Sequence, residues 1–234
     1  MIQREDFARE VKGESAPDMI RELNISMLLP EAPIRRQLRK PDFQRETNHW
    51  KPDQVLRLVK SFIDGDVIPS IILWRSTNFI FVIDGAHRLS ALCAWLSDDY
   101  GSGPLSNAFY NGEISQEQKN IAERTRRMIN KDVGSYISIR QLVGESAGGL
   151  AGQRAGALFT RPIYLQQVVG TPRVAEDSFF AINTQGTALD DTEKFLIETR
   201  RKPISIGARA IVRGGFGHHC CPVNHRINSI GYNL

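Results

Sequence analysis

Asp84, Gly85, His87 and Arg88 stand where an apolar run gives way to an amphipathic one, and those residue types at that spacing could hold an anion. Phe79-Ile80-Phe81-Val82-Ile83 reads as a buried strand, and Leu89, Leu92, Cys93 and Leu96 form the stripe of a helix. A helix that starts at once after a strand presents N–H groups without partners inside the helix, and its dipole favours negative charge there. Gly85 lets another backbone or a ligand approach closely, while His87 and Arg88 add side-chain donors. The planar guanidinium fork suits phosphate oxygens. Asp84 is placed to cap the helix, to bind a metal ion or to orient water. The plainer reading of the same residues is an ordinary strand–turn–helix with a surface arginine. Neither GxxxxGK[ST] nor GxGxxG occurs, which excludes a standard P-loop or Rossmann site.

Two further clusters carry polar groups of the same kind. Gln44, Arg45 and Glu46 follow Phe43 and precede Trp50. Gln44 and Arg45 could read a base or a phosphate with Glu46 holding Arg45, or the run is a surface loop with one buried aromatic. Ala181-Ile182-Asn183-Thr184-Gln185-Gly186 follows the apolar pair Phe179-Phe180. Asn183 and Gln185 each offer donor and acceptor to a base edge or ribose, or the stretch is a capped helix–helix turn ended by Asn183 and Gly186.

The elements that must position these residues follow from periodicity. Val55, Leu58, Val59 and Phe62 give a helix after Pro52, closed by Asp64-Gly65-Asp66. Ile71–Trp74 and Phe79–Ile83 make a hairpin-like strand pair across Ser76-Thr77-Asn78. Residues 98–113 read as loop, and Ser115-Gln116-Glu117-Gln118 as the capping box of a helix over 115–131. The Gly/Ala-rich stretch 144–156 reads as a mobile loop. Arg161–Val169 reads as a strand, and helices are expected near 173–182, 189–201 and 204–213. Residues 1–40 are charged and broken by Pro17, Pro30 and Pro33, and are expected to form an arm with one short helix. A domain over 41–213 and an irregular tail over 214–234, cut from a longer protein, complete the division.

Composition sets the outer bounds. Of 234 residues, 41% are hydrophobic and 24% charged, ordinary globular values. Cys93, Cys220 and Cys221 are odd in number and two are adjacent, so no disulfide framework is expected and a reducing cytoplasm is the expected compartment. No apolar run reaches the ~20 residues of a membrane span. Residues 121–234 hold 15 Lys and Arg against 9 Asp and Glu, whereas residues 1–120 hold 15 against 17. The basic second half suits a polyanion such as DNA, or is a solvated face. His218-His219-Cys220-Cys221 with His225 makes a poor zinc site, because adjacent ligands rarely reach one tetrahedral ion.

Taken in order, Asp42-Phe43-Gln44-Arg45-Glu46…Trp50, Ser61 to Leu73, Ile83-Asp84-Gly85-Ala86-His87-Arg88-Leu89-Ser90-Ala91-Leu92, and Phe179 to Leu189 with Glu193 resemble the N-terminal domain of GmrSD-type restriction endonucleases. The resemblance spans about residues 40–213. It implies an α+β fold of ParB/sulfiredoxin-like type, a small mixed sheet with surrounding helices. It also implies a nucleotide-binding, nucleoside triphosphate-hydrolysing domain that regulates a nuclease in a restriction or anti-phage defence system. The nuclease, with a His-Asn-His-type motif, would lie on a missing segment or a separate chain. Catalytic roles carry over to Asp84 and Arg88, with Glu46 the alternative for positioning water. Gln44, Arg45, Gly85, His87, Arg88, Asn183 and Gln185 would bind nucleotide or phosphate. The cofactors implied are a nucleoside triphosphate, GTP among the candidates, and Mg2+ held in part by Asp84. Ala86 stands where the family signature has Gln, which removes one polar contact. It also stands where sulfiredoxins carry their catalytic cysteine, which excludes that chemistry. The rival readings are a non-enzymatic ParB-like DNA-binding module and a degenerate, inactive fragment.

Overall fold

The apolar runs pair into one mixed sheet of six strands with helices on both faces. A computed structural model describes residues 2–5, 7, 20–42, 50–143, 148–185, 195, 199 and 202–212, the side chains of 183–185 and 209–212 excepted. The strands are β1 (Gln3–Glu5), β2 (Glu22–Asn24), β3 (Leu38–Pro41), β4 (Ile71–Arg75), β5 (Ile80–Asp84) and β6 (Pro162–Val168), in the spatial order β1-β3-β5-β4-β6-β2. β1, β3 and β5 are parallel to one another. β4 runs antiparallel to β5 and parallel to β6, and β2 runs antiparallel to β6.

The helices are α1 (Pro33–Gln37), α2 (Pro52–Asp64), α3 (Ala86–Ser97), α4 (Pro104–Phe109), α5 (Gln116–Asp132), α6 (Tyr136–Gln141), α7 (Gly149–Thr160), α8 (Pro172–Gln185) and α9 (Pro203–Val212). Successive strand side chains point to opposite faces, so the two central strands feed two cores. Ile80, Val82 and Leu73 meet Val59 and Phe62 of α2 and Leu89, Leu92 and Cys93 of α3. Phe81, Ile83 and Trp74 meet Ala175 and Phe179 of α8 and Phe7, whose ring lies 4.9 Å from both Trp74 and Phe81. α3 and α8 therefore cover opposite faces of the strand that ends in Asp84.

Several elements match the periodicity. The β4–β5 hairpin closes with the Ser76 N–H donating to the Phe79 carbonyl at 2.9 Å. α2 ends at Gly65 in the left-handed conformation, φ 99°. α5 is capped by the Ser115 hydroxyl, which accepts from the Gln118 N–H at 3.2 Å. The Gln118 side chain donates instead to the Gly101 carbonyl at 2.8 Å, tying the helix to the preceding loop.

Other elements differ from expectation for local reasons. Residues 1–40 supply β1, β2, α1 and most of β3, with Leu23 and Leu38 buried. Three-residue strands are too short to leave a period, and their pairing comes from the rest of the sheet. The 98–113 loop contains α4, entered through Pro104 at its first turn. The Gly/Ala-rich stretch contains α7, where Ala155 and Leu158 are buried. Arg154 anchors that helix, with bonds to both Asp64 carboxylate oxygens at 2.7 and 3.2 Å and to the Val133 carbonyl at 3.0 Å. Tertiary contacts outweigh the low helix propensity of its glycines. α8 runs on to Gln185, three residues past the expected end. Of the helix expected over 189–201 only Phe195 and Thr199 are described, joined by the Thr199 N–H donating to the Phe195 carbonyl at 2.9 Å, and the tail over 214–234 lies outside the described residues. No helix among the described residues is long and apolar enough to cross a membrane.

Asp99 fixes the loop that leads into α4. It is buried, and it accepts from the N–H groups of Gly101, Gly103 and Ser106 at 3.1, 2.9 and 2.7 Å and from the Ser106 hydroxyl at 2.6 Å. Burial pushes its pKa up, but these donors outweigh burial and hold its carboxyl below the usual range. A depressed folded pKa means that its contribution to stability is complete above the unfolded value, about 4, and is lost as pH falls through the folded value. Asp99→Asn should lower the melting midpoint at pH 7 and flatten the loss of stability below about pH 4, as thermal melts across pH would show.

Candidate functional site

β3 and β5 run parallel, so both end at the same edge of the sheet. Asp84 is the last residue of β5, and α3 starts two residues later. Only Gly85 separates them. It sits at φ 92° and ψ 11°, a left-handed conformation that costs an L side chain roughly 1–2 kcal/mol. A Cβ there would also lie 2.4 Å from Ile71 Cδ1 and 3.1 Å from Arg88 Nη2. The close approach that glycine permits is thus made by this chain's own isoleucine and arginine.

Arg88 is the cross-link of the turn. One Nη donates to Asp84 Oδ2, and the other donates to the Pro69 carbonyl at 2.8 Å. Its side chain is 14% exposed and that of Asp84 is 38% exposed, so the pair is shielded on the arginine side and open on the carboxylate side. The guanidinium joins the end of β5, the first turn of α3 and the segment ahead of β4. Asp84 does not cap α3: the cap position is Gly85, with no side-chain cap bond. Beside this pair, the rings of His87 and Trp50 stack at 5.5 Å between centroids, 3° from parallel.

The turn thus brings together Asp84, Gly85, His87 and Arg88. Gln44, Arg45 and Glu46 lie outside the described residues. Trp50, which follows them, is at the site through His87. Asn183 and Gln185 fall in the last turn of α8, and their side chains lie outside the described residues. α8 packs on the face of β5 opposite α3, through Ala175 and Phe179. The Pro69 carbonyl and Ile71 were missed as partners of the turn. Both belong to the stretch Ser61–Leu73 that carries the resemblance, but a backbone carbonyl has no residue-type signal. Among the described residues, no three or more His, Cys, Asp or Glu side chains gather as a metal cage. A lone carboxylate such as Asp84 still suits Mg2+, which is commonly held by one or two carboxylates together with substrate phosphates and water.

Fold and turn together define an α+β domain built on a mixed sheet, with an ion-paired turn at the carboxyl ends of its parallel strands. The family model of the GmrSD restriction endonuclease, N-terminal domain, matches residues 31–198, and the chain belongs to that family. The match covers α1 to α8 and includes the whole of the Asp84–Arg88 turn. Membership points to a component of a restriction or defence system. No curated protein and no solved structure matches the chain.

Gly85→Ala should destabilise the fold by about 2–5 kcal/mol, backbone strain and overpacking added. Gly112 has φ 83° with nothing within 4 Å of an added Cβ, so Gly112→Ala should cost only the backbone part, about 1–2 kcal/mol. Denaturant melts of the two variants measure the difference, and equal losses would remove the packing role of Gly85.

Proposed function

We propose that the chain is a nucleotide-binding regulatory domain of a GmrSD-type restriction system, and that the Asp84–Arg88 turn holds the phosphates of a nucleoside triphosphate. The observation that carries the proposal is the state of Arg88. Its fork is fixed at the start of a twelve-residue helix by a carboxylate and a carbonyl, with the first-turn amides beside it. An oriented guanidinium at a helix N-terminus serves a phosphate group better than a free surface arginine, because less freedom is lost on binding.

Asp84 and an incoming phosphate compete for the same guanidinium. Binding therefore exchanges the Asp84–Arg88 pair for an Arg88–phosphate pair and leaves the half-exposed carboxylate to act elsewhere. Mg2+, held in part by Asp84, would offset the phosphate charge when nucleotide is bound. Asp84 or Glu46 positions the attacking water. The stacked Trp50–His87 pair offers an aromatic surface next to the turn, with His87 a further phosphate donor. Gln44, Arg45, Asn183 and Gln185 supply the remaining polar contacts to base, ribose or phosphate. The domain takes in the N-terminal strands β1, β2 and β3 as well as the later elements, so it begins well before residue 41; its topology is of ParB/sulfiredoxin-like type, and a nuclease domain or subunit is its partner. GTP is the first nucleotide to test.

The expected result is phosphate release from GTP with Mg2+, lost in both Arg88→Ala and Asp84→Asn. Calorimetry separates the two variants. Arg88→Ala loses nucleotide affinity by about tenfold or more, whereas Asp84→Asn keeps it. Unchanged GTP affinity in Arg88→Ala removes the proposal. DNA affinity that falls steeply with salt, without turnover, would favour the ParB-like binding module instead.

A further inference from the structure

The opposite end of the parallel strands carries a cluster of arginines. Gln3 of β1 pairs with Arg39 of β3, and Leu38 pairs with Ile80 at the start of β5. Asp84 is four residues further along, about 13 Å at the rise of a strand. Between β3, α1 and α4 lies a cleft of about 480 Å³. One wall is formed by Arg35, Arg36 and Arg39, and the other by Leu105, Ala108 and Phe109, with no carboxylate in the lining among the described residues.

The three arginines differ in how they are held. Arg35 is buried and donates to the Leu28 carbonyl at 2.7 Å and the Ser97 hydroxyl at 3.0 Å, so it serves the fold. Arg39 lies over the Phe79 ring at 4.3 Å and donates through Nη1 to the carbonyls of Arg36 and Leu38 at 2.6 and 2.9 Å. Its Nε is buried without a hydrogen bond, and the nearest carboxylate, Glu5, is 3.9 Å away. Burial pulls the Arg39 pKa down, with Glu5 opposing the effect, so a closer anion would relieve a real cost. Arg36 is exposed, and among the described residues its guanidinium makes no hydrogen bond or ion pair. Three clustered guanidinium groups against one carboxylate, Glu5 at 3.9 Å from Arg39, leave the cleft with a net positive charge among the described residues.

The facing wall is apolar and fixed. Its helix, α4, begins in the loop that Asp99 holds with four hydrogen bonds. Phe109 stands edge-on to Tyr110 at 5.0 Å, which restricts its ring. A cationic wall and an aromatic wall across a cleft of small-ligand size suit a molecule that is anionic at one end and flat and apolar at the other. We infer that this cleft binds a nucleoside phosphate unit, its phosphate on Arg36 and Arg39 and its base against Phe109 and Leu105. The unit comes either from a free nucleotide or from a single strand of nucleic acid. This inference does not rest on the reading of the Asp84–Arg88 turn, which lies at the other edge of the sheet.

The test is calorimetric, with AMP, ribose 5-phosphate and a thymidine strand of about twelve nucleotides as probes. Arg36→Ala removes a guanidinium that makes no hydrogen bond or ion pair among the described residues, and Ala108→Trp fills the cleft from an exposed position. AMP is expected to bind the native chain about tenfold more tightly than ribose 5-phosphate, and Arg36→Ala and Ala108→Trp should each weaken it by a similar factor. If the strand binds and AMP does not, with the same loss in both variants, the unit is read from nucleic acid. Equal binding by the native chain and both variants overturns the inference. So does ribose 5-phosphate binding as tightly as AMP, which would leave the aromatic wall without a role.

Discussion

Gly85 turns the chain from β5 into α3 within a single residue, and the arrangement of the candidate site depends on that turn. At φ 92° the helix starts directly above the end of the strand, which brings Arg88 back over Asp84 and within reach of the Pro69 carbonyl. A side chain at position 85 would have to occupy the space that Ile71 and Arg88 fill. The fixed arginine and the missing Cβ are two sides of one packing solution. The Asp84–Arg88 pair contributes little to stability as an ion pair alone, since its carboxylate is partly solvated. Its larger effect is geometric, because it sets the direction of a guanidinium beside the unpaired amides of a helix start.

The two cores keep the turn in place. α2 and α3 pack on one face of β5 while α8 and Phe7 pack on the other, so the strand that delivers Asp84 is buried on both sides up to its last residue. A strand held this firmly gives its C-terminal residue a defined position, which a catalytic or binding carboxylate requires. β3 ends at the same edge, and Trp50 stacks there on His87. The carboxyl ends of parallel strands are a common location for ligand sites in α/β sheets, and this edge has that character although the sheet is mixed. The arginine cleft lies at the amino ends of the same strands, so the ion-paired turn and the arginine cluster occupy opposite ends of the sheet.

The central elements were legible in the sequence because their side chains alternate or recur with the period of the element. The β4–β5 hairpin, the stripe of α3 and the apolar face of α2 are of this kind, and so is the candidate turn between strand and helix. What escaped notice depends on partners distant in sequence. β1 and β2 are strands because β3 and β6 pair with them, and α7 is a helix because Arg154 reaches Asp64 and the Val133 carbonyl. The part played by Pro69 could not be read either, since it acts through its carbonyl. Arg35, Arg36 and Arg39 fall at the end of the stretch expected to form an arm. The structure buries Arg35 and lines a cleft with all three.

The central claim concerns one place, the first turn of α3, and amide hydrogen exchange resolved by residue tests it there. If a nucleoside triphosphate sits on this helix start, saturating GTP with Mg2+ should slow exchange at Ala86, His87 and Arg88, and this protection should disappear in Arg88→Ala. Exchange at these amides that is the same with and without nucleotide, or protection confined to other elements, would contradict the account.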